Sequence, residues 1–221
     1  MSEAETGGGP MRIDIVSDVV CPWCIVGYRQ LEQALENSGI AAEIAWHPFE
    51  LNPQMREEGE NLREHLMGKY GISAEDSARA RNRLASIGEE LGFTFRYGED
   101  MRMVNTFRAH QLLHWAETLG RQHDLKLALF AAYFTENRDV SDPQVLVDVA
   151  AGIGLDGEEA AAVLADGRYA QAVRAAQSVW LERGVSGVPA MILDGRYMVP
   201  GAQGVETYQA ILQRLRDRPA A

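Results

Sequence analysis

Along residues Met11–Ser17, Met11, Ile13 and Ile15 alternate with Arg12, Asp14 and Val16, and this period of two with β-branched residues predicts a strand. After the link Asp18-Val19-Val20 the period changes. Ile25, Tyr28, Leu31 and Leu35 recur at helical spacing behind Pro22, which suits the first helical position because the amide it lacks would be unpaired there. Asn37-Ser38-Gly39 supplies the stop. Residues 43–49 (EIAWHPF) then predict a second strand that ends at Pro48. The first fifty residues therefore read strand, helix, strand.

From about Asn61 to Arg183 helical periods take over, without internal repeats and without a strand signal of comparable quality. Leu62, Leu66 and Tyr70 mark one helix; Ala78, Leu84, Ile87 and Leu91 a second. Phe107 to Leu119, Leu125 to Tyr133, Val145 to Ala151, Glu158 to Leu164 and Tyr169 to Glu182 continue the series. The predicted breaks fall at Gly71, Gly92, Gly120, Pro143, Gly154 and Gly184. Strand character returns in residues 190–193 (AMIL) and 196–199 (RYMV), which flank Asp194-Gly195, a strong signal for a tight hairpin. Val205 to Arg216 closes the chain as a helix with Tyr208, Ile211, Leu212 and Leu215 on one face. The outer segments, 11–60 and 185–217, can rejoin as a mixed sheet flanked by helices, with 61–184 as a helical insertion. Residues 1–10, polar and Gly-rich, are expected to form a disordered tail.

Composition narrows the functional class. The 221 residues are 46% hydrophobic and 24% charged, enough for a sizeable core. The 32 acidic residues outnumber 21 basic ones, the net charge is −11, and no Lys/Arg-rich run occurs, which argues against nucleic-acid binding. No segment approaches the roughly 18 consecutive apolar residues of a membrane span, and no secretory-signal pattern is recognisable, so a cytoplasmic location is expected. In a reducing cytoplasm a close cysteine pair is more often catalytic, redox-sensing or metal-binding than a static staple.

The two cysteines stand as Cys21-Pro22-Trp23-Cys24, between a strand and a helix. A cysteine attacks as its thiolate, and a sulfur at a helix mouth meets unpaired N–H groups and the positive end of the helix dipole. This predicts Cys21 as an exposed nucleophile of depressed pKa. Cys24, one turn further in, is predicted to attack the mixed disulfide formed on Cys21 and release the product. Pro22-Trp23 carries no charge, and Trp23 offers a flat apolar surface to a partner. Gly184-Val185-Ser186-Gly187-Val188-Pro189, directly before a strand, makes Val188–Pro189 a candidate cis peptide bond, which would present the Val188 backbone to an extended peptide beside Cys21.

Strand–CPWC–helix, a long helical insertion and G-V-S-G-V-P before a hairpin resemble the DsbA-like thioredoxin-fold oxidoreductases. Within them the chain is similar to the FrnE-like branch, grouped with 2-hydroxychromene-2-carboxylate isomerases. Residues 17–24 (SDVVCPWC), 46–53 (WHPFELNP), Asn105-Thr106 with Ala109-His110, and Gly187-Val188-Pro189 with residues 200–203 (PGAQ) carry the resemblance. It implies an α/β, thioredoxin-like mixed sheet with a helical insertion that caps the site. Cys21 is the implied nucleophile, Cys24 its resolving partner and Pro189 the cis proline of a substrate groove. Exported DsbA enzymes typically carry histidine where this chain has Trp23, so a reductase or isomerase role is expected in place of a strong oxidant.

Dithiol–disulfide exchange with protein or peptide substrates is thus the leading expectation. It needs no cofactor beyond the Cys21–Cys24 disulfide, with glutathione as a possible co-substrate. A glutathione-dependent isomerase or kappa-class-like transferase acting on a small aromatic molecule is the alternative; it would not need Cys24. A metal-binding interaction module is the third, disfavoured because a zinc site would need a second cysteine pair. His110 and His114, four apart on a helix, lack the acidic residue of a His-Glu-x-x-His site and read as helix-face or interface residues. His47 reads as a satisfied loop or core residue, with a proton-shuttle role as the weaker option. Asp18 and Glu50 could raise the thiol pKa but read as turn and solvent-facing residues.

Overall fold

The structure, a computed structural model, describes residues 9–217. The expected tail therefore falls almost wholly outside the described residues. Strand β1 (Met11–Ser17) leads into helix α1 (Pro22–Ser38) and strand β2 (Ala42–Pro48); β5 (Ala190–Leu193), β6 (Tyr197–Pro200) and helix α9 (Val205–Arg216) complete the same layer. The sheet order is β2-β1-β5-β6, with β1–β2 parallel and the other two pairs antiparallel. The hairpin loop spans three residues, 194–196: Leu193 pairs with Tyr197, Arg196 N–H closes a turn on the Leu193 carbonyl at 3.1 Å, and the two central residues of that turn, Asp194 and Gly195, both take positive φ.

Because β1 is central, both its faces are buried. Ile13 and Ile15, with Met191 and Leu193, join the main core with Tyr28 and Leu31 of α1 and Tyr208 and Leu212 of α9. Val16, Ala190 and Ile192 form a second cluster on the other face with Trp180 and Val185. Asp14 shares that second face, and its carboxylate is satisfied by the Arg12 guanidinium and by His47 Nε2 at 2.8 Å. His47 is satisfied in this way and lies against the Trp180 ring, 4.6 Å between centroids.

Between β2 and β5 run seven helices: α2 (Leu62–Tyr70), α3 (Ala74–Glu90), α4 (Phe107–Thr118), α5 (Gln122–Phe134), α6 (Pro143–Gly152), α7 (Gly157–Asp166) and α8 (Ala170–Glu182). Contrary to the all-helical expectation for this stretch, two-residue strands β3 (Glu60–Asn61) and β4 (Arg102–Met103) pair antiparallel there. Pairs this short carry no periodicity and arise from tertiary contact: the Arg102 guanidinium donates to the Glu58 and Gly59 carbonyls. Helix α5 is clamped to the outer edge of β2, where the Gln122 side chain accepts from Trp46 N–H and donates to Trp46 C=O, both at 3.0 Å. Trp46 Nε1 also donates to His123 Nδ1 at 3.1 Å. These bonds pair the backbone of Trp46 on an otherwise open sheet edge and fix the start of α5 against β2.

Gly88 on α3 lets the chain fold back after the helix. A Cβ there would stand 2.5 Å from the Phe93 carbonyl and 2.6 Å from the Phe95 ring. Neither can retreat, since Phe93 and Phe95 are packed on each other and on Phe134. Gly88→Ala is expected to destabilise the protein by about 2 kcal/mol or more, within the range for overpacked cores. A urea midpoint unchanged from the parent would contradict that packing.

Candidate active site

The β1–β5 register opposes Val16 to Ala190, so the residues that follow one and precede the other, Ser17 and Pro189, come side by side. The β1–β2 register opposes Ser17 to Pro48 and lays residues 49–51 along Asp18. Cys21 thus arrives at the N-cap of α1 facing the Val188–Pro189 turn, whose peptide bond is cis. The Cys21 thiol points at the Val188 carbonyl oxygen, Sγ to O 3.7 Å. The Pro189 carbonyl accepts from Gly201 N–H at 2.7 Å, and Tyr208 Oη donates to the Gly201 carbonyl, pinning the turn to α9. Gly27 lets α1 approach it: a Cβ there would lie 3.2 Å from Pro189 Cγ.

Cys21, Cys24, Pro22, Val188 and Pro189 are therefore brought together, while Trp23 stands outward, 41% exposed. Both cysteines are free thiols. The expectation of an exposed Cys21 needs correction: it is only 4% exposed, because the Val188 turn and the helical insertion close over it, and Cys24 is fully buried. Asp18 and Glu50 are likewise buried, against the expectation of turn and solvent-facing residues. Glu50 Oε2 accepts from Arg174 and from Gln177 Nε2 (3.0 Å), tying the end of β2 to α8.

Beneath the cysteines lies a buried charged layer. Asp18 Oδ2 accepts from Leu51 N–H at 2.7 Å, and His110 Nε2 stands 3.4 Å from Asp18 Oδ1 and 3.0 Å from the Phe49 carbonyl. Both neighbours of that nitrogen are acceptors, so Nε2 carries a proton. Burial works against ionisation of Asp18, but His110, the Leu51 N–H and the charge of Lys126 prevail and hold it below the ordinary carboxylate range. The ammonium of Lys126, 1% exposed, lies over Trp46 (5.4 Å) and Phe130 (5.0 Å). A cavity of about 170 Å³ beside it, lined also by His110, His114 and Glu117, has room for several waters. Burial pushes Lys126 down to about 8, opposed by Cys24, Asp18 and Cys21.

This layer changes how the thiols titrate. Burial opposes ionisation of Cys24, but the adjacent Cys21 thiol, the Ser17 hydroxyl and Lys126 outweigh it and hold Cys24 low. Cys21 is held well above the ordinary thiol range by the Cys24 sulfur first, then by burial and by Asp18. A depressed Cys21 considered alone, as the helix mouth predicts, is thus corrected. The pair titrates as a unit: one negative charge is stabilised across the two sulfurs and a second is opposed. Lys126 went unread in the sequence, although it is one of only two lysines and the only charge in the apolar run 125–134 (LKLALFAAYF). A lone cation in such a run was the available signal.

A four-stranded mixed sheet with a Cys-x-x-Cys at the mouth of its first helix, facing a cis proline, defines a thioredoxin-fold thiol–disulfide oxidoreductase. The chain belongs to the DsbA-like thioredoxin domain family, whose model matches residues 12–213. It is similar to the crystal structure of a probable DsbA oxidoreductase from Streptomyces coelicolor, at 36% identity and TM-score 0.87, over 96% of this chain and 92% of the other. At lower identity, where the likeness is one of fold alone, two further structures superpose. One is a 2-hydroxychromene-2-carboxylate isomerase (16%, TM-score 0.68, 93% of this chain and 96% of the other). The other is the cytosolic disulfide reductase DsbM from Pseudomonas aeruginosa with glutathione (19%, TM-score 0.63, 92% and 98%). Among the described residues no helix is long and apolar enough to cross a membrane.

Proposed function

We propose that the protein is a cytoplasmic disulfide reductase or isomerase that exchanges the Cys21–Cys24 dithiol with protein or peptide substrates. The observation that carries this reading is the Cys21 sulfur against the Val188 carbonyl, above a buried Asp18–Lys126 layer. Cys21, at the edge of the site, attacks a substrate sulfur; Cys24, one turn deeper, attacks the resulting mixed disulfide. The two-electron exchange oxidises the dithiol to the ring-closed disulfide and leaves two substrate thiols. Pro22 and Trp23 supply the apolar platform for the substrate, and the Val188 backbone pairs with it as an extended strand. No cofactor beyond the disulfide is invoked; glutathione is the small thiol that would recycle it, consistent with its presence in the DsbM structure.

The direction of electron flow follows from charge balance. A strong oxidant needs its reduced thiolate stabilised. Here Asp18 opposes the help that Lys126 gives, and Pro22-Trp23 adds no cation. Titration in glutathione buffers is expected to place the potential toward the thioredoxin end, about −270 mV, and a value near about −120 mV would overturn the reductase reading. The glutathione-dependent isomerase remains the second reading, favoured by the apolar cleft beside Pro22 described next. Among the described residues no three His, Cys, Asp or Glu side chains cluster to hold an ion.

A further inference from the structure

Val20 and Pro22, which flank Cys21 in the chain, line a cleft of about 80 Å³ whose other walls come from the insertion. Its walls are apolar, among them Leu62, Leu66, Leu84, Tyr133 and Phe134. Four side chains with polar groups interrupt them, Ser77, Arg81, Tyr97 and Tyr133, and of these the Tyr133 hydroxyl is spent on the Arg102 carbonyl. The Tyr97 hydroxyl is buried and has no hydrogen-bond partner among the described residues. Arg81 donates to Ser77 Oγ at 2.7 Å and has no carboxylate within ion-pair distance among the described residues. In a chain of net charge −11 an unpaired, half-buried guanidinium is unusual, and the neighbouring charge of Arg63 adds to the positive potential. An unpartnered buried hydroxyl is a standing cost to the fold that a ligand accepting or donating a hydrogen bond there would remove.

We infer that this cleft is a binding site for a carboxylate-bearing aryl group attached to the sulfur that Cys21 attacks, with Arg81 and Tyr97 receiving the carboxylate. The inference rests on the proposed thiol–disulfide chemistry and specifies a substrate class for it: small aromatic disulfides carrying an acid. Volume sets the depth of binding. A cavity of about 150 Å³ takes a whole benzene, so about half that space holds the inner part of a ring and leaves its far edge at the mouth. The chain neighbours of Cys21, Val20 and Pro22, line the same cleft as Arg81 and Tyr97, so the polar pair and the reacting sulfur belong to one region of the surface. The exchange balances: the Cys21 thiolate forms one S–S bond as the aryl disulfide breaks and expels an aryl thiolate. Cys24 then closes the ring and expels the second.

The test compares two aryl disulfides on the full-length reduced protein. Dithiobis(nitrobenzoate) carries carboxylates, whereas dithiodipyridine carries none. The readout is the ratio of single-turnover second-order rate constants, from aryl thiolate release under excess reagent, for the anionic over the neutral reagent, which cancels differences in thiol reactivity. Arg81→Gln is expected to lower the ratio at least about tenfold, chiefly by weakening saturation with the anionic reagent, as the loss of a charge-assisted bond implies. Tyr97→Phe, which leaves charge unchanged, should lower it severalfold, and Arg81→Lys should recover part of the loss. Arg83→Gln, exposed on the same helix, controls for charge at a distance and should leave the ratio alone. Ratios unchanged in both Arg81→Gln and Tyr97→Phe would overturn the inference, as would an equal fall in Arg83→Gln. Failure of the parent reading looks different: wild type would react with neither reagent faster than free cysteine does.

Discussion

Cys21→Ser is expected to lower disulfide turnover by at least about a thousandfold, because the first bond-forming step loses its sulfur nucleophile. Cys24→Ser should differ in kind as well as in degree. Cys21 still attacks, but with no second sulfur one turn deeper the mixed disulfide persists, and catalytic turnover stalls. The burial of both thiols sharpens the contrast: Cys24 is enclosed completely and cannot take over the first attack from within the helix. Insulin reduction in the presence of dithiothreitol measures the loss, and mass spectrometry of Cys24→Ser treated with oxidised glutathione detects the trapped adduct, absent from Cys21→Ser. Turnover retained in Cys21→Ser, or an adduct carried by Cys24 in that variant, would reverse the assigned roles.

The second large effect is expected at Lys126. Its ammonium is the cation that lowers the pair's first ionisation, and at an effective dielectric of about 20 and several Å such a charge contributes about 1–2 kcal/mol. Lys126→Met should therefore raise the first thiol pKa by about one unit. At neutral pH the thiolate fraction then falls about tenfold, while each remaining thiolate is about threefold more nucleophilic at a Brønsted slope near 0.5. The net alkylation rate by iodoacetamide should fall about threefold near pH 7, and the two profiles should converge above about pH 8, where Lys126 itself loses its charge. A difference that closes as the pH rises is the signature. Identical profiles throughout would mean that Lys126 only fills space.

Stability carries an independent sign. Burial holds Lys126 at about 8, against about 10.4 in an unfolded chain, so between these values the unfolded state binds more protons. Stability contributed through this group therefore rises with pH across that window and is lowest below pH 8. The unfolding free energy of wild type minus that of Lys126→Met should increase by about 3 kcal/mol from pH 7.5 to 10.5, as read from urea curves. The buried ammonium is thus a cost in stability at neutral pH that sustains a reactive sulfur pair.

Much of this was legible along the chain. The alternation of Met11 to Ser17, the Pro22 helix start, the Asp194-Gly195 hairpin and the apolar stripes of the insertion are local signals, and most elements lie within a residue or two of them, although α3 and α5 begin four and three residues before the first apolar position that marked them. Cys-x-x-Cys and Val188-Pro189 were readable because each is a contiguous motif. Asp18 and Glu50 were misjudged because an acidic residue after a strand has solvent as its ordinary surroundings. Their burial depends on Leu51, His110, Arg174 and Gln177, which come from other segments. Arg81 and Tyr97 carried no signal at all, since each looks like a polar residue on a helix or loop until the cleft walls are assembled around it.

By itself the sequence determined the class of chemistry, because a sulfur pair at helical spacing behind a strand is a property of four residues and their immediate neighbours. Only the tertiary structure decided how that chemistry is tuned. The potential at a sulfur is a sum over charges in space, and the two buried charges that act on the pair here, Asp18 and Lys126, are 108 residues apart in the chain (126 − 18).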